Sequence, residues 1–282
     1  MDSIRWSWHT GDGLTMFAQG WLPEGPPRAL VALVHGLGEH SGRYTHVGTA
    51  LARSGFALFG FDLRGHGQSA GPRGHTPSYE ALLGDIDAFL TEVAKRFHTR
   101  PHFLYGHSLG GNLVLNYALR RRPTLAGVVA TGPALRLSFE PPPAKVALAR
   151  LMNRLFPAFT QASGLEVDAL SHDPEVVRAY RADPLVHDRI SARLFLGFFE
   201  AGRWALAHAN EFPVPLLLMH GGADRICSPD GSREFAARVT GDCLLKIWDG
   251  LYHEVHNEPQ KDEVLGVLIA WLERHATAPV TA

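Results

Sequence analysis

Cysteine is almost missing from this 282-residue sequence: there are two, Cys227 and Cys243. They lie too far apart for a CxxC pair and are too few for a disulfide framework, so a reducing compartment fits best. Charge of one sign is missing as well. Lys and Arg total 27 against 28 Asp and Glu, a formal net charge of −1. That leaves no field to draw nucleic acid to the surface and no acidic solvating tail. Uninterrupted apolar runs such as Ala29–Val34 fall far short of the ~18 residues of a membrane span. Residues 1–8 lack the apolar stretch of a secretory signal. No period of 20–50 residues recurs, which excludes repeat architectures. Histidine is abundant at 16 residues, yet no His-x-x-x-His or Glu-bearing metal spacing stands out, so neither metal nor other cofactor is expected. The chain reads as a soluble, cytoplasmic globular protein.

What is present is ordinary for a folded protein, with 45% hydrophobic and 20% charged residues. At ~150 residues per domain the length suits two domains, or one large α/β domain with an insertion. Residues 3–9 alternate Ile4, Trp6 and Trp8 on one side, and a Thr10-Gly11-Asp12-Gly13 turn leads into 14–22, which predicts a hairpin. Nearly all-apolar runs at 30–34, 56–61, 102–105, 125–131, 215–220 and 244–248 suit strands buried on both faces of a parallel sheet. Helical spacing marks 79–96, 110–121, 232–239 and 263–275, and the tail 276–282 is expected to fray. This alternation predicts an α/β fold with a mostly parallel central sheet flanked by helices. It breaks between about 132 and 212. There Leu148, Leu151, Met152, Leu155 and Phe156 fall at helical spacing, followed later by Leu194, Phe195, Phe198 and Phe199. The reading is a core of residues 1–132 and 212–282 with a helical cap, 133–211, inserted between two strands.

The sharpest chemical signal is Gly106-His107-Ser108-Leu109-Gly110, which follows one apolar strand and opens a helix. That is the context a G-x-S-x-G nucleophile elbow requires, with glycines where side chains would collide with neighbouring backbone. A serine hydroxyl is a poor nucleophile until a base takes its proton. Behind such an elbow an acid and then a histidine follow in chain order. Asp224 lies just past the strand 215–220, and His253 just past the strand 244–248. The developing oxyanion needs donors, typically worth ~3 kcal/mol each. The backbone N–H of Leu109 and that of Leu37, in the His35-Gly36-Leu37-Gly38 loop, are the candidates. His256 is the rival for the base. His107 is expected to pack under the turn, and Asp62 to organise the Arg64-Gly65-His66-Gly67 turn.

Together these residues resemble the monoacylglycerol lipase family of α/β-hydrolases along most of the chain. His35-Gly36-Leu37-Gly38-Glu39-His40-Ser41-Gly42-Arg43-Tyr44 looks like its HGxGEHSGRY segment. Asp62 with Gly65-His66-Gly67-Gln68-Ser69 looks like its GHGxS segment, and Gly106–Gly111, Asp183-Pro184-Leu185-Val186, Ala223-Asp224-Arg225 and Tyr252-His253 with His256 also match. The resemblance implies a serine ester hydrolase with Ser108, Asp224 and His253 as its triad. It implies a small lipid ester as substrate and a polar pocket of Glu39, Arg43, Tyr180 and His256 for the glycerol head. Glu39 and Arg43 also fit an ion pair that holds their loop. Cys227 matches a family cysteine, read as a small buried residue. Between 135 and about 177 only apolar character is shared, and His187 stands where mammalian members carry cysteine. Two readings of the cap's Leu/Phe stripe remain: it holds the acyl chain and touches lipid surfaces in passing, or it packs as core. A broader carboxylesterase, thioesterase or lysophospholipase shares the triad. A silent lipid-binding protein would not need it.

Overall fold

The computed structural model describes residues 2–97 and 102–276. Of the tail expected to fray, residues 277–282 lie outside these. Strands β1 (Asp2–His9) and β2 (Thr15–Leu22) form the predicted hairpin. Then come β3 (Ala29–Val34), α1 (Thr45–Arg53), β4 (Phe56–Phe61), α2 (Tyr79–Phe97), β5 (His102–His107), α3 (Leu109–Arg121) and β6 (Gly127–Thr131). The stretch that breaks the alternation supplies α4 (Pro143–Leu155), β7 (Thr160–Ala162), α5 (Pro174–Ala182), β8 (Arg189–Ser191) and α6 (Ala192–Ala207). The chain closes with β9 (Leu216–Gly221), α7 (Pro229–Arg238), β10 (Cys243–Trp248) and α8 (Lys261–Ala276).

Eight strands form one sheet in the order β1-β2-β4-β3-β5-β6-β9-β10. The hairpin and the β2–β4 pair are antiparallel and every other pair is parallel. The continuous apolar runs follow from burial on both faces. Along β3, Leu30, Ala32 and Val34 face one core with Leu83, Ile86, Phe89, Leu113 and Val114 of α2 and α3. Val31 and Leu33 face the other, with Val47 and Leu51 of α1 and Leu268 and Trp271 of α8. Helix α1, which follows the glycine-rich loop after β3, is not among the helices expected from the sequence. Its signal was the helical spacing of Tyr44, Val47 and Leu51, all buried.

The two long helices between β6 and β9 differ. Helix α6 joins the first core through Leu194 and Phe198. The Asn112 side chain donates to the Phe198 carbonyl at 3.1 Å, and Asn116 donates to that of Ala201 at 3.2 Å. Helix α4 has no buried residue, and Leu148, Leu151, Leu155 and Phe156 are each more than half exposed. Core packing therefore accounts for the apolar residues of α6 and not for those of α4.

Asp62, at the end of β4, does more than organise the turn after it. Its Oδ2 accepts from the Gln68 amide at 2.8 Å, while Oδ1 accepts from the Ser41 amide at 2.8 Å and the Ser41 hydroxyl at 2.6 Å. One buried carboxylate thus ties together two loops at the C-terminal end of the sheet, where ligands of open α/β sheets bind.

Candidate active site

Ser108 leaves β5 with φ 55° and ψ −114°, in the left-handed region that side chains rarely adopt. Its amide donates to the Thr131 carbonyl and its carbonyl accepts from Asn112 and Ala134, which fix the turn. A Cβ at Gly106 would strike the Gly110 carbonyl, and one at Gly110 the Val34 carbonyl. The two glycines are therefore what lets β5, α3 and the end of β3 close on one another and hold the serine at the edge of the sheet.

Asp224 and His253 follow β9 and β10, which pair in parallel up to Trp248 opposite Gly221. The His253 ring reaches Asp224, Nδ1 to Oδ2, at 2.7 Å, and both residues are buried. Oδ1 of Asp224 accepts from the Ile226 and Cys227 amides at 2.8 and 3.0 Å. Burial alone would raise the Asp224 carboxyl, but the charge and hydrogen bond of His253 and the hydrogen bond of His220 hold it well below the usual carboxylate range. Burial would likewise lower His253, and the facing Asp224 carboxylate raises it above its ordinary 6.5. With Nδ1–H committed to Asp224, Nε2 is the ring atom left to exchange a proton. Ser108 and His253 line one cavity. Among the described residues no hydrogen bond joins them, and proton transfer needs the pair to close up in the Michaelis complex.

The loop after β3 borders the same cavity. Gly36 brings it close to the serine, since a Cβ there would lie 3.2 Å from Ser108 Cβ. Gly38 has φ 78°, and its carbonyl accepts from the His187 amide at 2.9 Å. Among the described residues the N–H groups of Leu37 and Leu109 have no hydrogen-bond partner, and both residues line the cavity.

The four residues expected to form a polar pocket are divided. Glu39 and Tyr180 are on the cavity wall, while Arg43 and His256 are not. Glu39 accepts from the Gly36 amide at 2.6 Å, the Tyr44 hydroxyl at 2.8 Å and Arg43 at 2.7 Å. Arg43 also grips both oxygens of Glu254 at 2.6 and 2.7 Å and lies over the Tyr180 ring. Burial opposes the charge on Glu39, yet Arg43 overrides it and lowers the carboxyl. The ion-pair reading of Glu39 and Arg43 therefore describes what the side chains do. His256 is buried behind the wall, stacked on Tyr44 at 4.9 Å, with burial holding its ring well below 6.5. Its ring makes no hydrogen bond among the described residues and does not contact Asp224. His107 packs under the elbow as expected, with Nδ1 3.1 Å from the Thr131 carbonyl oxygen.

Three residues of this region escaped the sequence reading. Glu254 adjoins His253, but its partner Arg43 is 211 positions away. Glu258 accepts from the Tyr252 amide at 2.5 Å and the His172 amide at 3.0 Å, bracing the loop that carries His253. His220, inside an apolar strand, donates to Asp224. Only Glu254 carried a local signal, its place beside the candidate base.

The cavity holds about 240 Å³. Leu137, Phe139, Leu170, Ile190, Phe195 and Phe198 make most of its wall apolar. Glu39, Tyr180 and Glu254 make one end polar, and an ion pair of Arg225 with Glu166 at 2.9 Å also lines the cavity.

A mostly parallel eight-stranded sheet, with an elbow serine after β5 and a buried Asp–His pair after β9 and β10, is the architecture of an α/β-hydrolase. The family described as serine aminopeptidase, S33 (Hydrolase_4) matches residues 25–260, and the chain belongs to it. It is similar to the monoacylglycerol lipase of Mycolicibacterium smegmatis, 36% identical over 265 residues, 93% of this chain and 94% of that one. An uncharacterized abhydrolase domain-containing protein of Dictyostelium discoideum is 38% identical over 94% of this chain, which spans 28% of that longer protein. The crystal structure of the Paleococcus ferrophilus monoacylglycerol lipase superposes with a TM-score of 0.83 at 38% identity, covering 98% of this chain and all of the other.

The Arg43 pairs yield a stability prediction. Arg43→Met leaves Glu39 and Glu254 buried without their cation and should cost about 3–5 kcal/mol near neutral pH. The lowered Glu39 carboxyl contributes stability that is complete above its ordinary 4.5 and is lost as pH falls through its folded value. Urea unfolding should therefore show a wild-type advantage that shrinks below about pH 4.

Proposed function

We propose that this protein is a serine ester hydrolase that cleaves monoacylglycerols to fatty acid and glycerol. The observation that carries the reading is one cavity onto which a strained serine and an Asp-paired imidazole both open. That cavity is apolar over most of its wall and polar at one end. Ser108 Oγ attacks the ester carbonyl carbon while His253 Nε2 takes its proton and Asp224 stabilises the resulting imidazolium. The N–H groups of Leu37 and Leu109 receive the oxyanion. The ester C–O bond then breaks, and His253 returns the proton to the departing glycerol oxygen. Water, deprotonated by His253, attacks the acyl-enzyme carbonyl, releasing the fatty acid and regenerating Ser108. The names of the M. smegmatis and P. ferrophilus relatives support the same substrate class.

The family's descriptive name points to a peptidase instead. A site for a peptide's terminal ammonium needs an uncompensated carboxylate. Of the three carboxylates on this cavity wall, Glu39 and Glu254 are held by Arg43 and Glu166 pairs with Arg225, which favours a neutral, apolar substrate with a hydroxylated head. A fluorophosphonate probe should label the wild-type protein and leave Ser108→Ala unlabelled. Monoacylglycerol should be turned over with higher kcat/KM than lysophosphatidylcholine, short 4-nitrophenyl esters or aminoacyl amides. Equal or better turnover of the phospholipid or an amide would overturn the substrate assignment.

The polar end is assigned to the glycerol head. The Tyr180 hydroxyl, without a hydrogen bond among the described residues, is the group free to meet a glycerol hydroxyl there. Tyr180→Phe should raise KM for monoacylglycerol roughly 5- to 10-fold, the loss of one hydrogen bond, and leave that for a 4-nitrophenyl ester unchanged. An equal change for both substrates would remove Tyr180 from head-group recognition.

Residues 133–211 are assigned as the cap over this cavity. Phe139, Leu148, Leu151, Leu155, Phe156 and Phe159 expose large apolar side chains on and around α4. Such a patch is the surface expected to rest on lipid. Among the described residues no helix is long and apolar enough to cross a membrane, so the contact would be peripheral. Leu148→Glu with Leu151→Glu should slow hydrolysis of vesicle-borne monoacylglycerol several-fold and spare a monomeric short-chain ester. Equal rates on vesicles would show that α4 does not dock.

A further inference from the structure

Asp224 is hydrogen-bonded by two imidazoles, and the mechanism above uses one. His220, the fifth residue of β9, is fully buried among apolar neighbours. Its Nε2 lies 3.0 Å from Asp224 Oδ2 and 3.1 Å from the Cys227 carbonyl oxygen. Both partners are acceptors, so Nε2 carries the proton. On the far side Nδ1 faces the Ser232 hydroxyl at 2.7 Å, and Ser232 is itself buried on α7. An imidazole and a hydroxyl are costly to bury, and apolar side chains would fill this strand position without that cost. The pair is instead fully satisfied and directed at the one carboxylate oxygen that also meets His253. Oδ1 already accepts two amides, so His220 completes the four hydrogen bonds a carboxylate can take.

We propose that His220, held by Ser232, is a positioning residue of this active site. Its Nε2–H fixes Asp224 Oδ2 in the orientation that meets His253 Nδ1 and shares that oxygen's negative charge. The proposal rests on the Ser108–His253–Asp224 mechanism. The groups facing Asp224 are His253, His220 and the Cys227 thiol; those facing His253 are Asp224, Glu254, Glu39, His107 and His256. Without His220 the carboxylate charge falls more fully on His253, which favours the imidazolium. The acid limb of the kcat/KM profile then moves to higher pH. A role in packing alone would lower Tm without moving that limb.

The test takes the full chain through pH–rate profiles on a 4-nitrophenyl ester together with Tm. His220→Leu should lower kcat about 10-fold or more, the loss of a hydrogen bond to a charged group, and shift the acid limb upward. His220→Gln places an amide nitrogen near the Nε2 position and should restore most of kcat. His220→Asn reaches only the Nδ1 position and should not. A folded His220→Leu protein with the wild-type profile overturns the proposal, as does an equal loss in Gln and Asn. If His220→Leu fails to fold, the Gln–Asn contrast decides. If none of the three folds, Ser232→Ala decides, an unshifted acid limb overturning the proposal and an upward shift supporting it. A wild-type protein that neither labels with fluorophosphonate nor hydrolyses esters would refute the underlying mechanism instead, a result read before any variant.

Discussion

A carboxylate buried away from water must find its solvation in the protein, and Asp224 finds all of it there. Two backbone amides take one oxygen and two imidazoles take the other. Each donor comes from a different constraint. The amides belong to the turn after β9, His220 to the strand itself, and His253 to the loop after the neighbouring parallel strand. Slip β10 by one residue against β9 and the loop carrying His253 would shift by about 3.3 Å, breaking its contact with Asp224 and leaving an unpaired charge in the core. The register of the sheet edge and the protonation chemistry of the site are therefore one requirement. The stretch between β6 and β9 contributes too, because the Ala169 and Leu170 carbonyls accept from the His253 and Glu254 amides.

A second buried network stands beside the first and does a different task. Arg43 neutralises Glu39 and Glu254 at once, and Glu39 in turn holds the Gly36 amide at the start of the loop that carries Leu37. The loop is pinned from the other side by the His187 amide on the Gly38 carbonyl and by His40 against Asp183 at 2.9 Å. A backbone N–H can stabilise an oxyanion only if it is already aimed when the charge develops, since reorienting it at that moment would cost what it contributes. The polar residues around Leu37 supply that rigidity. Glu39 and Glu254 can thus share the cavity wall with a neutral substrate, because their charge is spent on the protein's own backbone and guanidinium.

Most of this was legible in the chain because it is local. The elbow glycines, the strands that end just before Asp224 and His253, and the alternation of helix and strand all declare themselves within a few residues. What was not legible depends on distance. Nothing near Arg43 announces Glu254, and nothing in β9 distinguishes a structural histidine from His220, whose partner Ser232 lies on the following helix. His256 shows the opposite failure. Its nearness to His253 in sequence suggested a place in the site, but the 3-10 turn at Val255–Asn257 carries it behind the cavity wall, against Tyr44. Helix α1 was hidden because its first turn adjoins the glycine-rich segment before it.

The stretch between β6 and β9 divides its apolar residues in a way that single-helix periodicity cannot reveal. Both α4 and α6 carry a helical apolar stripe, yet α4 rests on α6, where Arg193 donates to Asn153 Oδ1 at 2.9 Å, while α6 is anchored by two asparagines of α3 that donate to its carbonyls. Those bonds meet a real need: Gly202 lets α6 approach the backbone of Ala134 and Leu135 closely, and each buried polar group drawn in by that approach needs a partner. Held so, α6 presents Phe195 and Phe198 to the cavity as a fixed wall. Among the described residues α4 receives no such bond from α3, and its stripe stays in water. A stripe of that size in water is unfavourable unless something covers it. The rigid helix therefore shapes the space an acyl chain would fill, while the uncovered one faces the phase from which such a chain would come.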